Sequence, residues 1–358
     1  MTRMPSIPSR HASGPLQIDA QDPVTGRPLI SVVIPTYNRG PQTMAAVNSV
    51  LAQTVTDLEV IVVDDGSSDG SGEALERFVN QKAADSHRVF FCRQPNQGSA
   101  TARNAGAARA RGEYLAFLDS DDIWAANKLE WQLQAFTELG QACGACFTDA
   151  RLVNQSGMDI SSFQAHRRFY THVIGIDPSA TMSLAHSFSG FWLSTLLVRT
   201  AVFREAGGFR ADILFAEDRD LHFRLSLAAS IGYVNKQLAQ IDRTPSPPGS
   251  SCRPWDNAEL QFMQQQRMLE HWLDGTLPLP PNVRRVVKRA LGALHSSQAN
   301  WLLENQRYHD ARRAVMQAVR NKFRPGTIFK FAVTWLAPAL ARTIAPRSRP
   351  LGTGGHAS

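Results

Sequence analysis

The sequence predicts an α/β fold: a mostly parallel sheet with helices on both faces, followed by an α-helical C-terminal region. Three observations carry this. Apolar runs of strand length at 29–34, 58–63, 89–92 and 114–118 alternate with segments of helical periodicity. Each of these runs stops at a turn rich in Asp, Asn, Gly or Pro. From about residue 256 onward, apolar residues recur only at helical spacing.

Residues 1–28, rich in Ser, Pro and Gly, read as a flexible leader, and they lack the apolar core of a secretory signal. The first run ends at Pro35, and a helix over 43–51 places Met44, Val47, Val50 and Leu51 on one face. The second run ends in Asp64, Asp65, Gly66 and Ser67, before a helix marked by Ala74, Leu75, Phe78 and Val79. The third leads through Asn96, Gln97 and Gly98 into an alanine-rich helix over about 99–111. The fourth stops at Asp119, Asp121 and Asp122, and a helix carrying Leu129, Leu133 and Phe136 follows. A strand over 193–198 and a further, amphipathic helix bearing Leu221, Phe223, Leu225 and Leu227 come later.

Right-handed crossovers put every strand-to-helix loop on one edge of such a sheet, the edge where ligands of open α/β sheets bind. Three loops then converge: 35–39, 64–67 and 119–122. Carboxylates at a strand end repel one another, so the cluster at 119–122 reads as a site for a divalent cation, Mg²⁺ or Mn²⁺. A simple acidic cap on the following helix is the alternative for one loop, though not for three. Neither a G-x-G-x-x-G nor a G-x-x-x-x-G-K-[ST] is present, which removes the usual glycine cradles for dinucleotides and P-loop phosphates. A cation bridging the acidic loops would reverse their repulsion of a diphosphate, so a sugar linked to a nucleoside diphosphate suits the set.

With 358 residues and ordinary apolar content, the chain can build one large or two modest cores. Its net charge of +7 is uneven: residues 284–349 hold fourteen Lys and Arg against Glu304 and Asp310, a local +12 that leaves about −5 elsewhere. The four cysteines, Cys92, Cys143, Cys146 and Cys252, are too scattered for a disulfide framework and suit a reducing compartment. Cys143 and Cys146 form a C-x-x-C inside a strand pattern with no second pair, so they read as buried structural residues.

Four segments together resemble the family-2 glycosyltransferases: SVVIPTYNRG at 31–40, IVVDDGSSDGS at 61–71, NQGSATARNAGAARARGEYLAFLDSDDIW at 96–124, and FAEDRDLHFRL at 215–225. The resemblance spans about residues 29–243. It implies a GT-A type, Rossmann-like fold and an inverting, metal-dependent enzyme. Its substrates would be a nucleoside-diphosphate sugar, a UDP-sugar first, and a hydroxyl on a glycan or lipid-linked acceptor. Nucleic acid is not among the expected partners. The implied organisation is a leader at 1–28, a glycosyltransferase domain at 29–254, basic helices at 255–346 and a flexible tail at 347–358.

The resemblance also implies roles. Pro35, Tyr37 and Arg39 would lie along the nucleoside, Tyr37 beside the base unless it is a core residue. Asp65 would accept from base or ribose, with Asp64 supporting its loop. Asp121 is the expected metal ligand, Asp119 a ribose or metal contact, and Asp122 a helix cap. Arg103 would reach the diphosphate, or else be an exposed helical residue. Asp218 matches the catalytic base, with Glu217 beside it on the acceptor side, and Asp218 can also serve as a helix N-terminal carboxylate. Trp192, with residues 188–190, would shape an acceptor pocket or pack in the core, and Gly207, Gly208 and Phe209 match the turn before the base. In one departure, the stretch after Arg243 is proline-rich and has no His, which leaves Arg243 to reach the diphosphate and puts a mobile lid with a further metal ligand in doubt.

In the tail, residues 308–319 resemble half of a helix pair of tetratricopeptide type, although a single unit makes no array. Residues 327–344 carry Phe329, Phe331, Val333, Trp335, Leu336 and Leu340 between basic residues and are interrupted by Pro338. The apolar stretch is too short to span a bilayer. It reads either as a helix lying on an anionic membrane surface or as a packed C-terminal helix. A cytoplasmic chain, in peripheral contact with the inner membrane face where the tail binds lipid, is the expectation. Two other functions fit less well: a non-catalytic sugar-nucleotide scaffold, and a nucleotidyltransferase, which would need the absent glycine-rich loop.

Overall fold

The structure, a computed structural model, describes residues 26–84, 88–154, 159–162, 170–186, 191–214, 216–244 and 257–321. The chain begins with β1 (Ile30–Thr36), α1 (Gly40–Leu51), β2 (Leu58–Asp64), α2 (Ser71–Ala84), β3 (Val89–Arg93), α3 (Ser99–Arg109) and β4 (Tyr114–Phe117). It continues through β5 (Ile123–Trp124), α4 (Lys128–Leu139), β6 (Cys143–Val153), β7 (Asp159–Ser161), β8 (Ile174–Ile176) and α5 (Ala180–His186). A 3₁₀ turn (Leu193–Thr195), β9 (Leu196–Arg199), α6 (Thr200–Glu205), α7 (Glu217–Ala228) and β10 (Ser230–Asp242) complete the sheet region. Three helices follow: α8 (Ala258–Leu273), α9 (Pro281–Glu304) and α10 (Tyr308–Asn321).

The strand order is β3-β2-β1-β4-β9-β6-β10-β5, with β7 paired to β6 and β8 to β10. The four repeats read from the sequence form the parallel half, in which β1 pairs with β2 and β4, and β2 with β3. Every residue of β1 and β2 is buried, as expected of strands covered on both faces. Alternation divides them: Val33, Ile61, Val63 and Phe117 join the layer containing α3 and α7, while Val32, Ile34, Val60 and Val62 pack with Val47 and Val50 of α1 and Leu129 and Phe136 of α4. The alanine-rich composition of α3 has a steric cause, because a Cβ at Gly106 would run into the side chain of Val33. Only a small-residue face lets α3 approach the sheet this closely.

The second half of the sheet differs from the simple repeat. The strand expected over 193–198 begins as a 3₁₀ turn and becomes β9, which runs antiparallel between β4 and β6. β6 and β10 restore the parallel direction. The helix after Glu217, expected to be amphipathic, is instead buried from Arg219 through Leu225, because helices pack around it on several sides. The expected helical C-terminal region is present. Phe262, Met268 and Trp272 of α8, with Val283 and Val287 of α9, share the core that contains Phe223 of α7, while α9 and α10 close a smaller cluster around Leu302, Leu303 and Val315. Cys92, Cys143 and Cys146 are free and buried. No helix among the described residues is long and apolar enough to cross a membrane. The expectations for 1–25, for the proline-rich stretch from residue 245, and for the apolar tail at 327–344 lie outside the described residues.

Candidate active site

The loops after β1 and β2 are stitched together by backbone and short polar groups. Asp65 N–H donates to the Thr36 carbonyl at 2.9 Å, Asn38 N–H to Ser67 Oγ at 2.8 Å, and Ser68 N–H to Asn38 Oδ1 at 2.9 Å. Asn38 takes a φ of 52°, a left-handed turn that asparagine tolerates better than most residues. Asp64 is fully buried and accepts from the Ser67 N–H at 3.1 Å and its hydroxyl at 2.5 Å. Asp65 is equally committed to the protein: it accepts from Gln94 Nε2 at 2.8 Å and from the backbone N–H groups of Gln97 and Gly98 at 2.9 and 2.8 Å. It therefore ties a further loop, the turn into α3, to the site. Pro35 is buried inside β1, whereas Tyr37 is half-buried and joins none of the core clusters. Its ring makes no hydrogen bond or stack among the described residues.

The loop after β4 holds three carboxylates in three different settings. Asp119 Oδ1 pairs with Arg103 Nη2 at 2.7 Å, and Asp121 Oδ2 pairs with Arg39 Nη1 at 2.7 Å. Burial pushes the Asp121 carboxyl up from the usual range, Arg39 opposes this, and the charge of Asp119 adds to it. Asp122 is not a helix cap. The helix α4 starts at an Asn127 cap with no side-chain hydrogen bond, and Asp122 is buried and takes the Ser194 hydroxyl on Oδ2 and the Asp242 N–H, at 3.0 Å, on Oδ1. Its pKa is well above the ordinary value because burial, Asp119 and Asp121 all disfavour the charge. Ser194 Oγ also accepts from the Asp119 N–H at 3.1 Å, so one hydroxyl supports both ends of the acidic loop.

Arg103 is not an exposed helical residue. It is 7% exposed and spans from Asp119 to Glu217, whose Oε1 it meets at 2.8 Å. Burial alone would lower its pKa, but the two carboxylates outweigh that and hold it raised. Ser99 Oγ donates to the same Glu217 oxygen at 2.9 Å. The expected donor side and the expected acceptor side are thus joined through one guanidinium. Beside it, Asp218 stands in the first turn of α7, entered through Ala216 at a φ of 67°. Burial, then the charge of Glu217, lifts the Asp218 carboxyl to about 7, and the Arg219 N–H and Arg103 pull the other way. Near neutral pH such a group both takes and releases a proton.

On the far side of the acidic loop, the Arg243 guanidinium lies over the Trp192 ring at 4.8 Å. Burial lowers its pKa, and Asp122 and Asp121 oppose the change, which places this cation on the side of the acidic loop. Phe209 of the turn before the base accepts from and donates to Asn104 at 2.7 and 2.9 Å. The structure thus brings Arg39, Arg103, Asp119, Asp121, Glu217 and Asp218 into one chain of interactions, with Trp192 and Arg243 flanking Asp121 and Asp122. Sequence reasoning missed Ser194, one of two adjacent hydroxyl residues, with Thr195, in an apolar run with no spacing to mark it.

No group of three or more His, Cys, Asp or Glu side chains poised to hold a metal ion occurs among the described residues. The donor set nevertheless fits a hard cation of the Mg²⁺ type. Arg103 and Arg39 engage one oxygen each of Asp119 and Asp121, leaving one oxygen on each, and such cations commonly take one or two carboxylates and complete their shell with water and substrate phosphates.

Residues 31–193 match Glycosyl transferase family 2. The chain is 39% identical over 137 residues to the putative teichuronic acid biosynthesis glycosyltransferase TuaG of Bacillus subtilis, covering 38% of this chain and 52% of that protein. It thus spans about half the length of that curated relative. Among solved structures, the mannosyltransferase PcManGT from Pyrobaculum calidifontis, in complex with GDP-Man and Mn²⁺, superposes with a TM-score of 0.51 at 21% identity, covering 93% of this chain and 86% of that one. That likeness shows a shared GT-A type fold. Glycosyltransferase GlyG of Streptococcus pneumoniae is 32% identical in an alignment that covers 59% of this chain and 69% of GlyG, and with this relationship established the chain belongs to glycosyl transferase family 2.

Proposed function

We propose that the chain transfers a sugar from a nucleoside-diphosphate donor to a hydroxyl of a glycan or lipid-linked acceptor, with inversion at the anomeric carbon. The observation that carries this reading is the Asp119–Arg103–Glu217 bridge, which sets a proton-accepting Asp218 beside the acidic loop. Asp218 takes the proton of the acceptor hydroxyl as that oxygen bonds to the anomeric carbon. The bond from that carbon to the diphosphate oxygen breaks, and the nucleoside diphosphate leaves from the opposite face. Arg39 and Arg243 offer positive charge to the diphosphate, and Tyr37 offers an uncommitted ring to the base. Asp119 and Asp121 would hold a divalent cation, Mg²⁺ or Mn²⁺, which when bound supplies charge stabilisation to the leaving diphosphate. The Mn²⁺ and GDP-Man bound to PcManGT support a donor and cation of this class.

The reading is tested with a panel of UDP-, GDP- and dTDP-sugars in Mn²⁺, following both transfer and the anomeric configuration of the product. Asp218→Asn should bind the accepted donor and fail to transfer. Retained configuration, or full transfer by Asp218→Asn, would refute the single-displacement reading. A wild-type chain that binds donors but turns none over would make it a scaffold.

A lipid-linked acceptor fits a chain working at the inner membrane face. Supporting this, Arg285, Lys288 and Arg289 are exposed on α9 at i, i+3 and i+4, a spacing that puts all three on one face. Reversing these charges should abolish pelleting with phosphatidylserine vesicles. Unchanged pelleting would remove this face from membrane contact.

A further inference from the structure

The match to the family ends at residue 193, so α8 lies outside it. It does, however, hold the helix that carries Asp218. At about 100° per residue, Asp220 lies ~200° around α7 from Asp218, so the two face opposite ways. Asp218 and Glu217 face Arg103 of α3 and Asp119 of the β4 loop. Asp220, fully buried, faces α8: its Oδ1 accepts the Trp272 indole N–H at 2.8 Å, while Oδ2 accepts from Arg224 Nε and Nη2 at 2.9 and 2.6 Å.

Two more contacts converge on the same indole. The Phe223 ring stacks on Trp272 with centroids 3.9 Å apart and planes 26° from parallel. The Arg219 guanidinium sits 5.6 Å from the Trp272 ring while its Nε and Nη2 donate to the Leu184 carbonyl at 3.1 and 3.0 Å. Gln264 Oε1 accepts the Leu214 N–H at 3.1 Å, so α8 also grips the segment leading into α7. That segment ends at Ala216, a non-glycine residue held at a φ of 67°, and such a conformation persists only where its surroundings fix it.

We infer that Trp272 is a positioning residue for Asp218, with α8 fixing the rotation of α7 so that the C-terminal helices complete the active site of the transferase proposed above. An apolar side chain at 272 would bury as well. A directed N–H to a buried carboxylate adds a single rotational setting, and a 1 Å displacement at a reacting group is enough to cost orders of magnitude in rate. The inference rests on the proposed transferase reading for its kinetic part and on helix α7 itself for its structural part.

The test uses the full chain and three variants. Trp272→Phe keeps the ring stack and deletes the donor. Trp272→Tyr keeps a ring and returns a hydroxyl donor. Phe262→Leu trims the α8 core at a side chain whose ring neighbour is Trp301 of α9, at 6.1 Å. With a UDP-sugar that the wild type turns over, Trp272→Phe should lower kcat roughly tenfold or more with donor KM within about twofold. Its amides at 220–224 should exchange faster with deuterium. Trp272→Tyr should recover part of both, and Phe262→Leu, melting at a comparable temperature, should change neither. Wild-type kcat and exchange in Trp272→Phe, or an equal loss of kcat in Phe262→Leu, would overturn the inference. Should Trp272→Phe not fold, Trp272→Tyr against wild type decides it by the same two readouts. If the wild type turns over no donor, the transferase reading fails, and exchange at 220–224 still decides whether Trp272 holds α7.

Discussion

Arg39 Nη1 lies 2.7 Å from Asp121 Oδ2, so an arginine from the loop after β1 closes an ion pair on the carboxylate assigned to the cation. The pair is partly exposed, at 17% and 26%, so its strength is that of a screened surface pair, about 1 kcal/mol at most. If Asp121 holds the cation as proposed, Arg39 and a divalent cation compete for the same charge, and donor entry should release Arg39 toward the diphosphate. Arg39→Ala should therefore tighten Mn²⁺ binding to the donor-free chain roughly two- to fivefold while raising donor KM. Asp121→Asn should abolish that Mn²⁺ binding. Calorimetry with Mn²⁺ alone reads both, and weaker binding in Arg39→Ala would show that the arginine organises the carboxylates instead of competing with the metal.

Asp218 makes two pH predictions of opposite kind. As a base it must be ionised, so kcat should rise through an apparent pKa of about 7. Arg103 favours the ionised form, and Arg103→Gln should move that limb upward in pH. For stability the sign reverses. The folded value lies above the ordinary 3.8, so between about pH 4 and 7 the folded chain keeps a proton that the unfolded chain has released, and stability falls across that window. Asp218→Asn removes the penalty. It should be more stable than wild type at pH 8, on the order of 1–3 kcal/mol, and equal to it near pH 4. Urea melts at the two pH values check this, and an equal offset at both would mean that Asp218 is not held protonated by its site.

The parallel half of the fold is legible in the sequence because strands covered on both faces must be unbroken apolar runs, as Ile30–Thr36 and Leu58–Asp64 are. The other half is not. β5 has two residues, β7 and β8 three each, too few to show a period, and the reversal of β9 is set by its neighbours β4 and β6. Helix α7 misled because a helix packed on all sides has no polar stripe to read. In the site, the carboxylates clustered at 119–122 announce themselves by their mutual repulsion, whereas Asp218 is singled out only by the family resemblance of the segment at 215–225. What a carboxylate is tied to is a tertiary fact. Asp122 reads as a cap until Ser194 and Asp242 are seen on it, and the surface reading of Arg103 falls away only when Asp119 and Glu217 close around it.

Ser194 is the residue that sequence gave no reason to test. Its hydroxyl donates to buried Asp122 and accepts the Asp119 N–H, while its carbonyl accepts the Trp124 indole N–H at 2.7 Å. Ser194→Ala keeps the carbonyl bond and deletes the other two. Leaving a buried carboxylate and a backbone N–H short of a partner should cost about 1–3 kcal/mol, a fall of several degrees in Tm. Because both groups belong to the acidic loop, Mn²⁺ and donor affinity should fall with it. A variant with wild-type Tm and wild-type donor binding would remove Ser194 from the support of the site.

Lys128 gives the opposite case, a charge the fold carries at a cost. It is fully buried at the start of α4, its ammonium 3.9 Å from the centroid of Trp124 and donating to Gln132 Oε1 at 2.8 Å. Burial lowers its pKa from 10.5 to about 7. Between those values the unfolded chain holds a proton that the folded chain has lost, so stability rises with pH across the window and the penalty is full below about 7. Lys128→Met removes the charge and keeps the volume. Gln132 loses one donor, but its Nε2 still reaches the Cys146 and Thr195 carbonyls at 2.7 and 2.9 Å. The net gain should be about 1 kcal/mol at pH 6.5, narrowing toward pH 10, with turnover within about twofold of wild type because the Lys128 ammonium contacts Trp124 and Gln132 and no residue of the acidic loop directly. A destabilised Lys128→Met at pH 6.5 would mean that the ring and amide contacts of the ammonium outweigh its burial.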